Sequence, residues 1–193
     1  MPAKSVKSNE KPRLSAQDWA DAALESLAEG GMSAVAVETL ARRLGVTKGS
    51  FYWHFSSRDA LITAMLKTWE ENDIRTFERS LAIIPDARDK MRALFRRTRQ
   101  EIQSHVIFCT LFQSIDHPSV REVMHRVSQR RIDFLRGGFM ELEMPPEQAA
   151  HRARLTFMSY VGFLQYYQSF KESRMSLEEL DAYVDHVIGT LIP

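Results

Sequence analysis

Apolar side chains recur every three or four residues along nearly the whole chain, and no strand, repeat or low-complexity tract interrupts them. A chain patterned this way buries one stripe of each helix against its neighbours, so the expected class is all-α. Ser15-Ala16-Gln17-Asp18 reads as a capping box with Leu14 and Trp19 as its staple. Trp19, Ala23, Leu24 and Leu27 then share a face, and Gly30-Gly31 ends this first helix. A short second helix turns Val37, Leu40, Ala41 and Leu44 inward and stops at Gly45. A third starts at Thr47 or Lys48 and ends near Phe55. Ser56 or Ser57 caps a fourth, which carries Leu61, Ile62, Met65, Leu66, Trp69 and Phe77.

Ile84-Pro85-Asp86 marks a break before the rest. A fifth helix is expected from about Arg88 to Gln103, and a short apolar one from Val106 to Ile115. Pro118 suits the first turn of the next, whose end is expected at Gly137-Gly138. Pro145-Pro146 opens a long helix reaching about Phe170. Ser176-Leu177-Glu178-Glu179 is a second capping box, opening a last helix. The layout is about nine helices. It divides into a three-helix unit over 13–60, a connecting fourth helix over 58–80 and a larger bundle over 81–193.

Bulk properties narrow the setting. The 193 residues suffice for one ordinary domain, or a small one and a larger one. A net charge of +1 identifies no partner. The single cysteine, Cys109, excludes an internal disulfide, and a reducing cytoplasm is the simplest setting. No apolar run approaches the ~20 residues of a membrane span. The first dozen residues have no apolar signal-peptide core and read as a disordered basic arm, 1–12.

The chemistry concentrates between Val37 and Phe55. Ala41, Gly45 four residues on and Phe51 six further have the spacing of a helix-turn-helix. The first helix needs a small residue where the second crosses it. The turn needs a residue tolerant of positive φ, and the second helix needs a large apolar lock. From Thr39 to Arg58 the chain carries Arg42, Arg43, Lys48 and Arg58 and no acidic residue, as a phosphate-facing surface requires. Phe51 and Phe55 are four apart and share a core face. Tyr52, Trp53 and His54 point elsewhere. Tyr52 can donate its hydroxyl to phosphate, and Trp53 and His54 can reach bases or sugars. Gly49 permits close approach, and Thr47 and Ser50 can donate to phosphate.

The run Thr39-Leu40-Ala41-Arg42-Arg43-Leu44-Gly45-Val46-Thr47-Lys48-Gly49-Ser50-Phe51-Tyr52-Trp53-His54-Phe55, followed by Ser57-Arg58-Asp59-Ala60-Leu61, resembles the signature of the TetR family of bacterial transcriptional regulators. The match spans about Leu14 to Leu66. The resemblance implies a three-helix DNA-binding unit, a connecting helix and a C-terminal domain that dimerises and binds a small effector. By position, Thr47, Lys48, Ser50, Tyr52 and His54 match residues commonly at DNA in that family. One departure stands out. Where the family often has Ser or Thr entering the second helix, this chain has Ala36, so either Ser33 or Glu38 compensates or a contact is missing.

The expected function is thus a regulator, most simply a repressor released from a pseudo-palindromic operator by an effector. A ligand-responsive activator is an alternative. So is a helical enzyme or ligand carrier, but it leaves the acid-free surface unexplained. Phosphate-loop, zinc-finger and nucleophile-elbow motifs are absent, so no catalysis or cofactor is expected.

The long helix from Glu147 to Phe170 is apolar almost all round, which calls for cover on more than one side. With the last helix it is expected to form a homodimer interface through Tyr160, Val161, Leu164, Val184, Val187, Ile188 and Leu191. Trp69, Phe95, His105, Phe108, Cys109, Phe112, Met124, Met158 and Tyr167 are candidate linings of an effector pocket. Glu101, His105 and Cys109 recur every four residues, with Asp116-His117 nearby, but a helix face often collects such residues and no metal is expected.

Overall fold

The computed structural model describes residues 14–100, 102–170 and 175–192, with side chains described outside 76–80, 82, 98–100 and 102–104. The arm expected over 1–12 and the side chains of Phe77 and Glu101 lie outside the described residues. The described chain forms helices α1 (Ala16–Ala34), α2 (Val37–Leu44), α3 (Lys48–Tyr52), α4 (Arg58–Ala82), α5 (Ala87–Gln100), α6 (Ile102–Gln113), α7 (Pro118–Glu141), α8 (Pro146–Ser169) and α9 (Leu177–Leu191).

Local chemistry sets most boundaries. The Ser15 hydroxyl accepts from the Asp18 amide at 3.3 Å, and the Asp18 carboxylate accepts from the Ser15 amide at 2.6 Å. These bonds hold the Asp18 carboxyl below its ordinary pKa. Ser176 and Glu179 build the same box at α9. Ser57 caps α4 by accepting from the Ala60 amide at 3.1 Å. α1 is interrupted at Gly31, whose φ of 71° a side chain rarely adopts, and regains helix only to Ala34.

Several boundaries differ from expectation: α3 stops at Tyr52 rather than near Phe55, α5 ends at Gln100 rather than Gln103, and α6 starts at Ile102 rather than Val106. α7 does not end at Gly137-Gly138 but runs through both to Glu141. A Cβ on Gly138 would lie 2.7 Å from the Met91 sulfur. Glycine is there to let α5 seat Met91, which is fully buried. That contact offsets the ~1 kcal/mol that a mid-helix glycine costs.

The apolar core is continuous. It starts at Trp19 and Phe51 in the first three helices and follows Leu61, Met65 and Trp69 along α4. It then passes through Phe108, Met124 and Phe139 into α8 and α9 at Leu164 and Ile188. At 25 residues, α4 is roughly 37 Å long, enough to run from the first unit into the bundle. The polar side of α4 docks on α7. Glu70 takes Arg126 at 2.8 Å and Arg130 at 3.5 Å, and Asp73 takes Arg131 at 2.6 Å. Arg126 holds the Glu70 carboxyl below its ordinary pKa. Among the described residues no helix is long and apolar enough to cross a membrane.

Candidate nucleic-acid interface

The glycine turn forms as the spacing demands. Gly45 has φ 67° and ψ 34°, the left-handed conformation, and the Val46 amide closes the turn on the Ala41 carbonyl at 2.9 Å. α3 follows at once. Phe51 is fully buried, with Trp19 edge-on at 5.3 Å and Phe55 stacked at 5.6 Å. The two phenylalanines are therefore the anchors. Their neighbours face out: Tyr52 is 64% exposed and Trp53 83%. Thr47, Lys48 and Gly49 are exposed, and Ser50 and His54 are half-buried beside them. Thr47 occupies the N-cap of α3 but makes no side-chain cap, so its hydroxyl is not committed to the helix end.

The basic residues divide differently from the sequence expectation. Arg58 turns inward. Its Nε donates to the Val35 carbonyl at 2.6 Å and its Nη2 to the Met32 carbonyl at 2.7 Å, clamping the link between α1 and α2. Arg43 donates to Glu29 at 2.8 Å and to Ser26 at 3.2 Å, and pairs with Glu25 at 3.3 Å. It pins α2 onto α1, and the Glu29 carboxyl is held below its ordinary pKa by that contact. Lys48 is exposed but pairs with Glu38, whose carboxyl is likewise lowered. Arg42 is exposed. The window is acid-free along the chain, yet Glu25, Glu29 and Glu38 enter it in space.

Ala36 is the N-cap of α2, in extended conformation (φ −119°, ψ 138°) and without a side-chain cap. Neither candidate supplies a side-chain cap at Ala36, although the Glu38 carboxylate also accepts from its own backbone amide. The Ser33 hydroxyl donates to the Gly30 carbonyl at 3.2 Å, and Glu38 is engaged by Lys48. Ala36→Ser should therefore stabilise the protein by about 0.5–2 kcal/mol, read as a higher urea midpoint at unchanged m-value.

In the bundle, the candidate pocket residues scatter. Trp69, Phe108, Cys109 and Met124 are core. Phe95, Phe112 and Tyr167 are half-buried. Met158 is 64% exposed and lines no interior space, because α8 turns its other side to the core. His105 is drawn into a polar group that sequence reasoning did not assemble. Its Nδ1 lies 2.6 Å from the Tyr160 hydroxyl, and the Arg131 guanidinium lies over the Phe108 ring at 4.6 Å. Burial pushes Tyr160 up to about 12. A signal was available: Arg131 falls on the same face of α7 as the buried Val120, Met124, Val127 and Leu135. Beside this group is a cavity of about 40 Å³ lined by Phe95, Thr156, Tyr160, Phe163, Tyr183 and Val187.

Cys109 is buried, and desolvation pushes its thiol up to about 11. Native alkylation by iodoacetamide at pH 8 should be at least about 100-fold slower than that of an exposed cysteine, rising to the ordinary rate in denaturant. Rapid labelling of the folded protein would show that the thiol opens to solvent. Among the described residues no group of three metal-ligating side chains forms.

The residues expected at a dimer interface are buried or half-buried within the chain itself. None of Tyr160, Val161, Leu164, Val184, Val187, Ile188 and Leu191 is exposed. They cover the chain's own core. The exposed apolar face of α8 is the opposite one, with Leu155 at 56%, Met158 at 64% and Tyr166 at 55%, and Gly162 among them.

A short helix presented across a glycine turn, locked from behind by one phenylalanine, defines the helix-turn-helix class. Residues 20–65 match the family described as bacterial regulatory proteins, tetR family. Over this segment the chain is similar to the TetR family of bacterial regulatory proteins. It is 41% identical over 46 residues to the HTH-type transcriptional regulator SrpR of Pseudomonas putida, covering 24% of this chain and 22% of that one. It is 25% identical over 115 residues to the HTH-type transcriptional repressor KstR2 of Rhodococcus jostii, covering 60% of this chain and 53% of that one. The chain thus matches between about a fifth and a half of the length of these relatives. A transcriptional regulator from Rhodococcus sp. Rha1 has the same fold, with TM-score 0.76 at 19% identity over 93% of this chain and 96% of that one.

Proposed function

We propose that the protein is a homodimeric transcriptional repressor that binds a pseudo-palindromic DNA operator and is released by a small effector. The observation that carries this reading is the division of α3, with Phe51 buried while Thr47, Lys48, Gly49, Tyr52 and Trp53 stand exposed together. Side chains of this kind suit a duplex. Thr47, Ser50 and Tyr52 donate hydroxyls to phosphate, Gly49 lets the backbone approach, and Trp53 and His54 reach sugars and bases. Arg42 supplies an exposed cation, whereas Arg43 and Arg58 position the helices. Such a role belongs in the bacterial cytoplasm. Selection of genomic fragments by the purified protein tests it, and failure to enrich any duplex sequence would remove the proposal.

Lys48 begins α3 and sits nearest the backbone as the helix enters the major groove. Lys48→Ala should weaken binding to all sequences alike and make the slope of log K against log salt shallower by about one unit. Glu38→Gln should do the reverse, because it frees Lys48 from its carboxylate partner. Gel shifts across a salt series check both. A sequence-specific loss at unchanged slope would assign Lys48 to a base instead.

The exposed face of α8 supports the dimer: three large apolar side chains on one helix face call for cover. Two α3 helices related by a two-fold axis then need half-sites about one turn of DNA apart, or a multiple of it. The cavity and the polar group around Tyr160 support an effector site, and α4 links that region to α3. A ligand shifts this equilibrium only by its preference for one arrangement of α4 over the other.

A further inference from the structure

Arg131 occupies a position that its helix otherwise gives to Val120, Met124, Val127 and Leu135. Only 16% of its side chain is exposed. Its guanidinium lies over Phe108, and Nη2 donates to Asp73 at 2.6 Å. Its buried Nε has no hydrogen-bond partner among the described residues, and neither has the buried Nη2 of Arg130, 3.7 Å from Asp73. A buried guanidinium N–H without an acceptor is costly. The charges are also uneven. Arg126, Arg130 and Arg131 on α7 meet Glu70 and Asp73 on α4, while Glu122 touches Arg126 from the solvent side with 77% exposure. Among the described residues the inner cluster has three guanidinium groups to two carboxylates.

Tyr160 joins this cluster to the cavity. Its ring centroid is 6.0 Å from the Arg131 guanidinium, and the same side chain forms part of the cavity wall. The rest of that wall is mainly aromatic and aliphatic, with two small hydroxyl residues, Ser159 and Thr156. Thr156 is 2% exposed, and its hydroxyl has no partner among the described residues. A cationic end with unmet donors thus adjoins an apolar space with one unmet hydroxyl.

We infer that the bundle recognises a small organic carboxylate, whose carboxylate takes Arg131 in exchange for Asp73 and whose short apolar body lodges against Tyr160 and in the cavity behind it. Guanidinium and carboxylate match as a two-bond fork, so the incoming group satisfies Nε while replacing what Asp73 supplied. A neutral ligand has no means of displacing Asp73. The exchange also supplies a route to α3. Asp73 lies on α4, and once released by Arg131 it holds α7 only through the longer Arg130 contact at 3.7 Å, which loosens one of the ties between the two helices. This inference rests on the reading of the bundle as an effector domain.

The experiment is thermal unfolding and calorimetric titration of the full chain at constant ionic strength. The probes are benzoate and hexanoate, each set against its neutral amide. The acids should raise the melting temperature of the wild-type protein, and the amides should not. Asp73→Asn removes the competing carboxylate. It should lower the melting temperature and tighten acid binding by about tenfold, a gain that a merely structural aspartate does not produce. Arg131→Met should abolish the acid response; if that variant does not fold, the Asp73→Asn comparison decides alone. Equal responses to acids and amides, weaker acid binding by Asp73→Asn, or no acid response in either protein would overturn the inference. Ligand binding is read here without DNA. A protein that selects no DNA but binds the acids loses the regulator reading and keeps this site, and the converse also holds.

Discussion

Phe51→Ala is expected to lower stability by about 3–5 kcal/mol and to abolish operator binding. α3 has five residues, too few to hold a helix by its own hydrogen bonds. Its position depends on the Phe51 ring between Trp19 and Phe55. Removing the ring leaves a cavity under the helix and frees α3 from α1. Urea unfolding followed by tryptophan fluorescence measures the loss. Trp53→Ala is the matched control. At 83% exposure Trp53 contributes little to the core, so the melting transition should stay within about 0.5 kcal/mol while DNA affinity falls. A cost below about 1 kcal/mol for Phe51→Ala would mean that α3 is held by something other than this lock.

Met158→Glu is expected to dissociate the proposed homodimer and to reduce operator affinity to that of a single half-site. Met158 is exposed on the isolated chain, so the substitution should leave the fold intact. Inside a two-fold interface the same carboxylate is buried twice without a partner, at a cost of about 3–5 kcal/mol for each. Sedimentation velocity at micromolar concentration reads the outcome directly. Leu164→Glu provides the contrast. Leu164 is 5% exposed within its own chain, so a charge there should unfold the protein rather than split a dimer. A wild-type protein that sediments as a monomer and selects asymmetric sites would remove the two-fold arrangement.

These two pairs also show where sequence reasoning reaches its limit. Phe51 and Phe55 could be assigned inward, and Tyr52 and Trp53 outward, from their spacing of four; α3 stops at Tyr52, but the Phe55 amide still donates to the Phe51 carbonyl at 3.0 Å and keeps the two rings on one side. On α8 the same reasoning had too little contrast to work with. Leu155, Met158 and Tyr166 are as apolar as Phe157, Tyr160 and Leu164, so periodicity shows two candidate faces and ranks neither. The packing of α8 against α7 and α6 made the choice. The end of α7 failed for a related reason. Gly137-Gly138 has the composition of a stop, and only the seating of Met91 against Gly138 reveals a helix interior.

What the sequence determined by itself was local. The capping boxes at Ser15 and Ser176, the left-handed turn at Gly45, the anchors of α3 and the all-helical class follow from residues within a few positions of one another. Backbone hydrogen bonding and side-chain period act over that range, so the chain order carries them. What only the tertiary structure decided was how charges and faces are paired. Arg43 meets Glu29 across 14 positions, Arg58 meets Met32 across 26, and Arg131 meets Asp73 across 58. An arginine looks the same in sequence whether it faces a phosphate, clamps a turn or lies buried on a phenylalanine. Its role is set by the dielectric and the acceptor it meets, and both are supplied by other helices.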